Sequence, residues 1–302
     1  MTFEEFTKRF GTEEQCRDYL YQLRFFNGFV CPKCQNSKAW PIGKALFECS
    51  KCGHQTSVIA GTIFQDTRMP LKAWFTAIWW VTTQKNGASA MGLQQVLGLK
   101  SYKTAWMWLH KIRKAMVYPN RTKLSGTIEV DEAYIGGEEN GGKKGRGTEN
   151  KTLVAVAVEL GDKGALGRTR LGVIANASKK ALHGFIKDNA EIGSTIISDG
   201  WKSYASLSDE GYQHIVYSKK GATSEEELLP NVHRIISLLK RWLLGTHQGA
   251  VSEKYLQAYL DEYVFRFNRR KAAQRGLLFY RLLECAILLT PTTLEELRSS
   301  KA

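Results

Sequence analysis

The chain has 302 residues, enough for one large domain or for two or three smaller ones with cores of their own. Apolar residues make up 43% and charged residues 24%, an ordinary globular balance that argues against a disordered chain. Lys and Arg number 43 against 29 Asp and Glu, so the formal charge is +14 and a polyanionic partner is expected, either nucleic acid or an anionic membrane face.

A membrane span is not expected. The longest apolar run, Ala73 to Val81, is short and contains Thr76, whereas a span needs about 20 residues. The opening residues MTFEEFTKRF lack the apolar stretch of a signal peptide, which makes the cytoplasm the expected compartment.

Residues 1–25 read as a helical lead-in, with Phe6, Phe10, Cys16, Leu20 and Leu23 at roughly helical spacing. Residues 26–60 are turn-rich and hold four of the six cysteines as two pairs, Cys31-Pro-Lys-Cys34 and Cys49-Ser-Lys-Cys52. In a reducing compartment this spacing points to metal rather than disulfides, and four thiolates suit tetrahedral Zn²⁺ in a structural role. Gly53 follows the second pair and can take the positive φ that turns backbone amides toward the sulfurs. Cys16 and Cys285 read as buried apolar residues.

Residues 68–118 are predicted helical, with Pro70 placed to start the first helix. Ser89 caps a second helix over Ala90 to Leu97, Gly98 ends it, and a third runs from Ser101 to about Met116. Helix, Gly turn, helix is the helix-turn-helix pattern, and Lys103, Lys111, Arg113 and Lys114 on the third helix are the candidate DNA contacts. A plain packing unit with a solvated basic face is the alternative. The tryptophans Trp74, Trp79, Trp80, Trp106 and Trp108 are assigned to the core.

From 125 onward the chain is mixed. Strands are expected at Ile128–Tyr134, Leu153–Leu160, Leu171–Ile174, Thr195–Ser198 and His214–Tyr217, with a helix at Lys179–Asn189 between the third and fourth. That order indicates an α/β (α+β) fold with a mixed sheet. The Gly-rich stretch before the second strand carries Lys143, Lys144 and Arg146 as further candidate DNA contacts. Helices are expected at Ile235–Leu244 and Ser252–Asn268, the latter with a basic end at Arg266, Arg269, Arg270, Lys271 and Arg275 that is either a DNA-backbone contact, Arg269 and Arg270 being the candidates, or an ordinary solvated end.

Two carboxylates sit where an α/β sheet places its ligands. Asp131 lies in the strand TIEVDEAYIGG, and Asp199 ends the run STIIS just before Gly200. Metal-assisted phosphoryl transfer needs acids converging from separate elements. Glu129 or Glu132 remains an alternative to Asp131, and Asp199 could instead be a helix N-cap.

The order of cysteine pairs, helical segment, VDEAYIGG, SDGWKSY, HRIISLLKRWLLGTHQG and QAYLDEYVFRFNRR resembles the insertion-sequence transposases with an ISXO-type catalytic domain, over residues 15 to 285. The resemblance implies three parts: an N-terminal helix and zinc ribbon (1–62), a helix-turn-helix segment (68–118), and a ribonuclease H-like catalytic domain (125–290). It also implies three side chains holding two Mg²⁺ or Mn²⁺ ions, the first two being Asp131 and Asp199. In that family the third is usually Glu, seven residues before a helical Lys. Here the Lys is Lys240 and the earlier position is His233, so the chain departs from the acidic triad and reads Asp-Asp-His, with Asn231 as a second candidate.

His233 and Lys240 are two helical turns apart on one face, which aims Lys240, with Arg241 and Arg234 near it, at a DNA phosphate. The resemblance further implies a bacterial, nucleoid-associated transposase that cleaves transposon ends and joins the 3′-OH to target DNA. It would act on double-stranded DNA, terminal inverted repeats and target alike, as a homodimer or higher assembly. A DNA-binding regulator with an inactive nuclease-like domain is the rival reading.

Overall fold

A computed structural model describes residues 1–43, 45–136, 151–217, 229–249, 251–272 and 276–299. The chain forms two compact units, Met1–Pro119 with Ala272–Ser299, and Asn120–Lys271.

The first unit opens with α1 (Phe3–Phe10) and α2 (Glu13–Arg24). Each starts in a capping box, Thr2 with Glu5 and Thr12 with Gln15, so four amide and side-chain groups at each start are paired locally. Their buried faces are Phe6 and Phe10, then Cys16 and Leu20, as the sequence spacing requires. Next come β1 (Ala39–Ile42), β2 (Leu46–Cys49) and β3 (Gln55–Ser57), an antiparallel three-stranded sheet. α3 (Leu71–Thr83) buries Trp74, Phe75, Ala77, Ile78 and Val81. α4 (Ala90–Leu97) is capped by Ser89 and ends at Gly98, whose φ of 61° needs a residue without a Cβ clash. α5 (Tyr102–Lys114) follows, and its Trp108 stacks on Trp74 at 3.9 Å between ring centres.

The second unit is built on β4 (Thr127–Ile135), β5 (Thr152–Leu160), β6 (Leu166–Val173), α6 (Lys179–Asn189), β7 (Thr195–Asp199), β8 (Gln213–Tyr217), α7 (Pro230–His247) and α8 (Glu253–Asn268). The sheet runs β6-β5-β4-β7-β8; the first three strands are antiparallel, and β4, β7 and β8 are parallel. This is the mixed sheet flanked by helices that the sequence leads one to expect.

Alternation along β5 explains its two covered faces. Val154, Val156 and Val158 meet the apolar side of α7 and α8, with Val232, Ile235, Leu239, Leu256 and Leu260. Ala155 and Ala157 point the other way, toward Leu182, Phe185 and Ile186 of α6. β6 begins at Leu166, five residues before the predicted start, because Arg168 and Arg170 interrupt its apolar run.

The outer edge of β6 is occupied by side chains of α8. Gln257 accepts from the Val173 N–H (2.9 Å) and donates to the Leu171 carbonyl (3.4 Å). Asn268 accepts from the Thr169 N–H (2.8 Å) and donates to the Thr169 carbonyl (3.1 Å). A strand edge left bare is a template for unwanted pairing, and these amides remove that template.

α9 (Gly276–Leu288) and α10 (Leu294–Ser299) return to the first unit. The expected third part, 125–290, runs on into α9, whereas residues 272–299 group with the first unit. Phe279 packs on Phe6, Phe10 and Phe75 with ring centres 5.6, 5.3 and 5.8 Å away, and Leu282, Leu283, Cys285 and Ala286 complete the same buried stripe.

Candidate active site

In the first unit the two cysteine turns are built alike. The Gln35 N–H bonds the Cys31 carbonyl and the Gly53 N–H bonds the Cys49 carbonyl, both at 3.0 Å. Both closing residues take positive φ, 60° for Gln35 and 66° for Gly53, so only the second position was legible as a glycine. The sulfurs of Cys31 and Cys52 lie 3.7 Å apart and those of Cys34 and Cys49 3.5 Å apart. A tetrahedron with Zn–S bonds of ~2.3 Å has edges of ~3.8 Å, so the set fits Zn²⁺. Burial opposes charge at Cys49, yet backbone N–H groups of Cys52 and Lys51 and the neighbouring thiols bring it down to about 6, toward the thiolate a metal needs. Cys16, by contrast, is pushed up to about 12 by burial and is inert.

Along α5 and just before it the basic residues divide. Lys103 is exposed, as are Lys100 and Tyr102, at the start of α5. Lys111 and Arg113 are buried, contrary to a basic face running the length of the helix. Arg113 is 2% exposed and donates through Nη2 to the Ala88 carbonyl at 3.1 Å. Burial lowers the Lys111 ammonium, while Asp66 and Glu296 favour its charge. Lys114 is exposed, and its Nζ meets the Thr292 hydroxyl at 2.8 Å. Lys143, Lys144 and Arg146 lie outside the described residues.

In the second unit β4 and β7 are parallel neighbours, registered through Glu129 and Ile197. Two residues further on each strand stand Asp131 and Asp199, on strands ~4.8 Å apart. The Asp131 carboxyl is raised above its ordinary range, chiefly by burial; the Glu132 N–H and His233 oppose this, and the Asp199 charge adds to it. Its Oδ1 accepts from the Glu132 N–H at 2.8 Å and its Oδ2 lies 3.2 Å from His233 Nε2. Asp199 Oδ1 accepts from the Trp201 N–H at 3.0 Å. Two carboxylates beside one imidazole form a donor set that fits a divalent cation. The trio is more open than the cysteines, which among the described residues are the group whose ligand atoms all lie within 4.8 Å of one another.

The other acids near this point are engaged elsewhere. Glu132 accepts a 2.8 Å hydrogen bond from the buried Tyr204 hydroxyl. Burial first, then the charges of Glu132, Asp131 and Asp199, hold that phenol far above its ordinary range. Glu129 is 4% exposed and accepts from the N–H groups of Asn231 (2.9 Å) and Val232 (2.8 Å) and from Asn231 Nδ2 (2.8 Å). It fixes the start of α7, and Asn231 is turned to Glu129 rather than to Asp131. Sequence reading missed this role; its one trace is that Glu129 shares a strand face with Asp131.

Lys240, Arg241 and Arg234 are exposed along α7. At the end of α8, Arg269 lies over the Phe265 ring at 4.2 Å and bonds its carbonyl. Arg270 stacks on Phe267 at 3.9 Å and donates to the Leu166 and Gly167 carbonyls, while Arg266 pairs with buried Glu262 at 2.8 Å.

Residues 123–268 match the ISXO2-like transposase domain, and residues 11–55 match a transposase zinc-ribbon domain. A Halobacterium salinarum protein described as an uncharacterized protein in transposable element ISH50 is 25% identical over 288 residues, spanning 88% of this chain and 96% of that protein. Among solved structures, the catalytic core domain of BIV integrase is a loose likeness: 17% identity, TM-score 0.33, over 50% of this chain and 88% of that one. No described helix is long and apolar enough to cross a membrane. The chain thus carries, in this order, a match to a transposase zinc-ribbon domain and a match to an ISXO2-like transposase domain.

Proposed function

We propose that this chain is a transposase that cuts a phosphodiester at each element end and joins the freed 3′-OH to target DNA, using Asp131, Asp199 and His233. The observation that carries the reading is the side-by-side placement of the two aspartates on parallel strands, with His233 Nε2 3.2 Å from Asp131. Burial, and to a lesser degree the Asp199 charge, disfavour the ionised Asp131 carboxyl, and a pair of Mg²⁺ or Mn²⁺ ions held by Asp131, Asp199 and His233 would supply the compensating positive charge.

The protein's own residues do the positioning. Glu129 fixes α7 on β4, which keeps His233 at Asp131. Lys240 and Arg241, further along α7, hold the DNA backbone as point charge and fork. The zinc ribbon and the exposed start of α5 read the terminal inverted repeats. Joining two ends in one event requires two active sites, hence at least a homodimer on DNA. Both transfers are in-line displacements, by water and then by the 3′-OH, so no side-chain nucleophile is involved.

The test is cleavage of end-labelled duplex carrying the DNA that flanks the gene. The expected result is a nick with a 3′-OH and, with target DNA present, joined products, both lost in Asp131→Ala. Wild-type protein that binds these ends but cuts with neither metal would leave a DNA-binding regulator.

A further inference from the structure

Of the eight tryptophans, Trp40 and Trp201 are exposed, and Trp201 stands two residues after Asp199. Its side chain is held in place although the residue is 38% exposed. The Trp201 backbone N–H donates to Asp199 Oδ1 (3.0 Å), and the indole Nε1 donates to the Ala177 carbonyl (3.2 Å), just ahead of α6. A short 3-10 turn, Lys202–Tyr204, follows, and the hydroxyl of its buried Tyr204 bonds Glu132 at 2.8 Å. The two carboxylates are thus bracketed. Asp131 meets His233 of α7, and Asp199 meets Trp201, which is tied to the approach to α6.

A ring left partly in water forgoes the stabilisation of burial, and fixing it costs side-chain entropy. A preformed platform for a ligand offsets both. The surroundings are basic. Lys202 is exposed beside Trp201. α6 opens on Lys179 and Lys180, both exposed and with no acid in the first turn, although the helix dipole favours acids there. An anion brought to this end would offset the two misplaced cations. An aromatic face with cations around it suits unpaired nucleotides: a base stacks on the ring while the lysines follow the backbone.

We infer that Trp201 stacks on a base drawn out of the duplex beside the scissile phosphate. Two residues of chain span at most about 7 Å, so the ring is adjacent to a phosphate held at Asp199. Inside a duplex each base face is covered by its neighbours, and a ring at this position meets one only after the base has left the stack. The Asp131 side chain is 17% exposed. A phosphate that reaches it is drawn off the duplex surface, which loosens the base attached to it. The inference rests on the transposase reading of Asp131 and Asp199.

The experiment is fluorescence anisotropy of the full-length chain with no Mg²⁺ or Mn²⁺ added, so that nothing is cut. The labelled duplexes carry the DNA that flanks the gene and are fully paired, mismatched at the element end, or mismatched there with the bases of the cut strand removed. Wild type is expected to bind the mismatched duplex about tenfold more tightly than the paired one, because the base is already unstacked, and to lose that gain when the bases are absent. Trp201→Leu, apolar but without a ring face, is expected to bring the mismatched and paired duplexes within about twofold of each other, and Trp201→Phe to keep most of the preference. Should Trp201→Leu not fold, the abasic duplex and Trp201→Phe decide on their own. Three results overturn the stack: wild type that binds all the duplexes alike, Trp201→Leu that keeps the preference, or Trp201→Phe that loses it entirely, which would leave the Nε1 bond to Ala177 as the role of the indole. Cleavage is a separate readout. Wild type that prefers the mismatched duplex but cuts with neither metal removes the catalytic reading and leaves the stack standing, whereas cutting without the preference removes the stack alone.

Discussion

The carboxylate of Glu129 holds Asn231 twice, by its backbone N–H at 2.9 Å and by its side-chain Nδ2 at 2.8 Å. Two residues further along each segment stand Asp131 and His233, 3.2 Å apart. The pairing ties the start of α7 to β4 and places a negative charge where the helix dipole favours one.

Glu129→Gln keeps the shape but loses that charge and one acceptor. Unfolding of the second unit is expected to become easier by about 2–3 kcal/mol, and cleavage to fall at least about tenfold as His233 drifts from Asp131. DNA affinity should stay as it was. An unchanged urea midpoint would show that Glu129 does not anchor the helix.

In the proposed site, His233 as third ligand would remove a negative charge and add a nitrogen donor, which Mn²⁺ accepts more readily than Mg²⁺. Mn²⁺ is therefore expected to support strand cleavage at least as well as Mg²⁺. His233→Glu should lower the Mn²⁺/Mg²⁺ rate ratio, by about tenfold if the ligand sets the preference. Cleavage that runs on Mg²⁺ and is abolished by Mn²⁺ counts against His233.

Arg113 and Lys103 share a helix but should fail differently. Arg113→Met strands the Ala88 carbonyl and is expected to cost about 1–3 kcal/mol of stability with no change in salt slope. Lys103→Gln should leave the melting temperature alone and lower the slope by about 1. Melting curves and salt titrations of the two variants decide it; the reverse pattern would restore the continuous basic face.

Asp261 is raised to about 6, chiefly by burial, with Gln257 and Arg121 opposing. An acid raised on folding binds more protons folded than unfolded, so its contribution to stability declines from pH ~4 to ~6 and stays low above. Asp261→Asn should therefore stabilise the second unit by about 2–3 kcal/mol at pH 7.5. The gain should vanish below pH ~4, which thermal melts at the two pH values measure.

Local signals in the sequence located most of the elements. Capping residues, the Gly98 stop and alternation in LVAVAVEL rest on neighbours within a few residues, and α6 begins and ends where they indicate. Asp199 stands out as a candidate because it closes the apolar run of its strand, whereas Asp131 lies in the middle of β4. Partnerships across the chain were not legible. Glu129 meets Asn231 102 residues away, and nothing in either segment specifies the other. α9 was missed for the same reason, because its apolar stripe is complementary to Phe6 and Phe10 at the far terminus. Lys111 and Arg113 show the limit of charge as a guide, since a guanidinium with a carbonyl to bond can be drawn inside.

The amides of Gln257 and Asn268 are eleven residues apart, about 16 Å of helix, and they clasp strand groups from Thr169 to Val173, about 13 Å of extended chain. Two clasps at fixed separation work like a ruler laid against β6. One residue gained or lost between them would rotate Asn268 by about 100° around the helix and leave Thr169 ungrasped. Length variation within this segment is therefore forbidden.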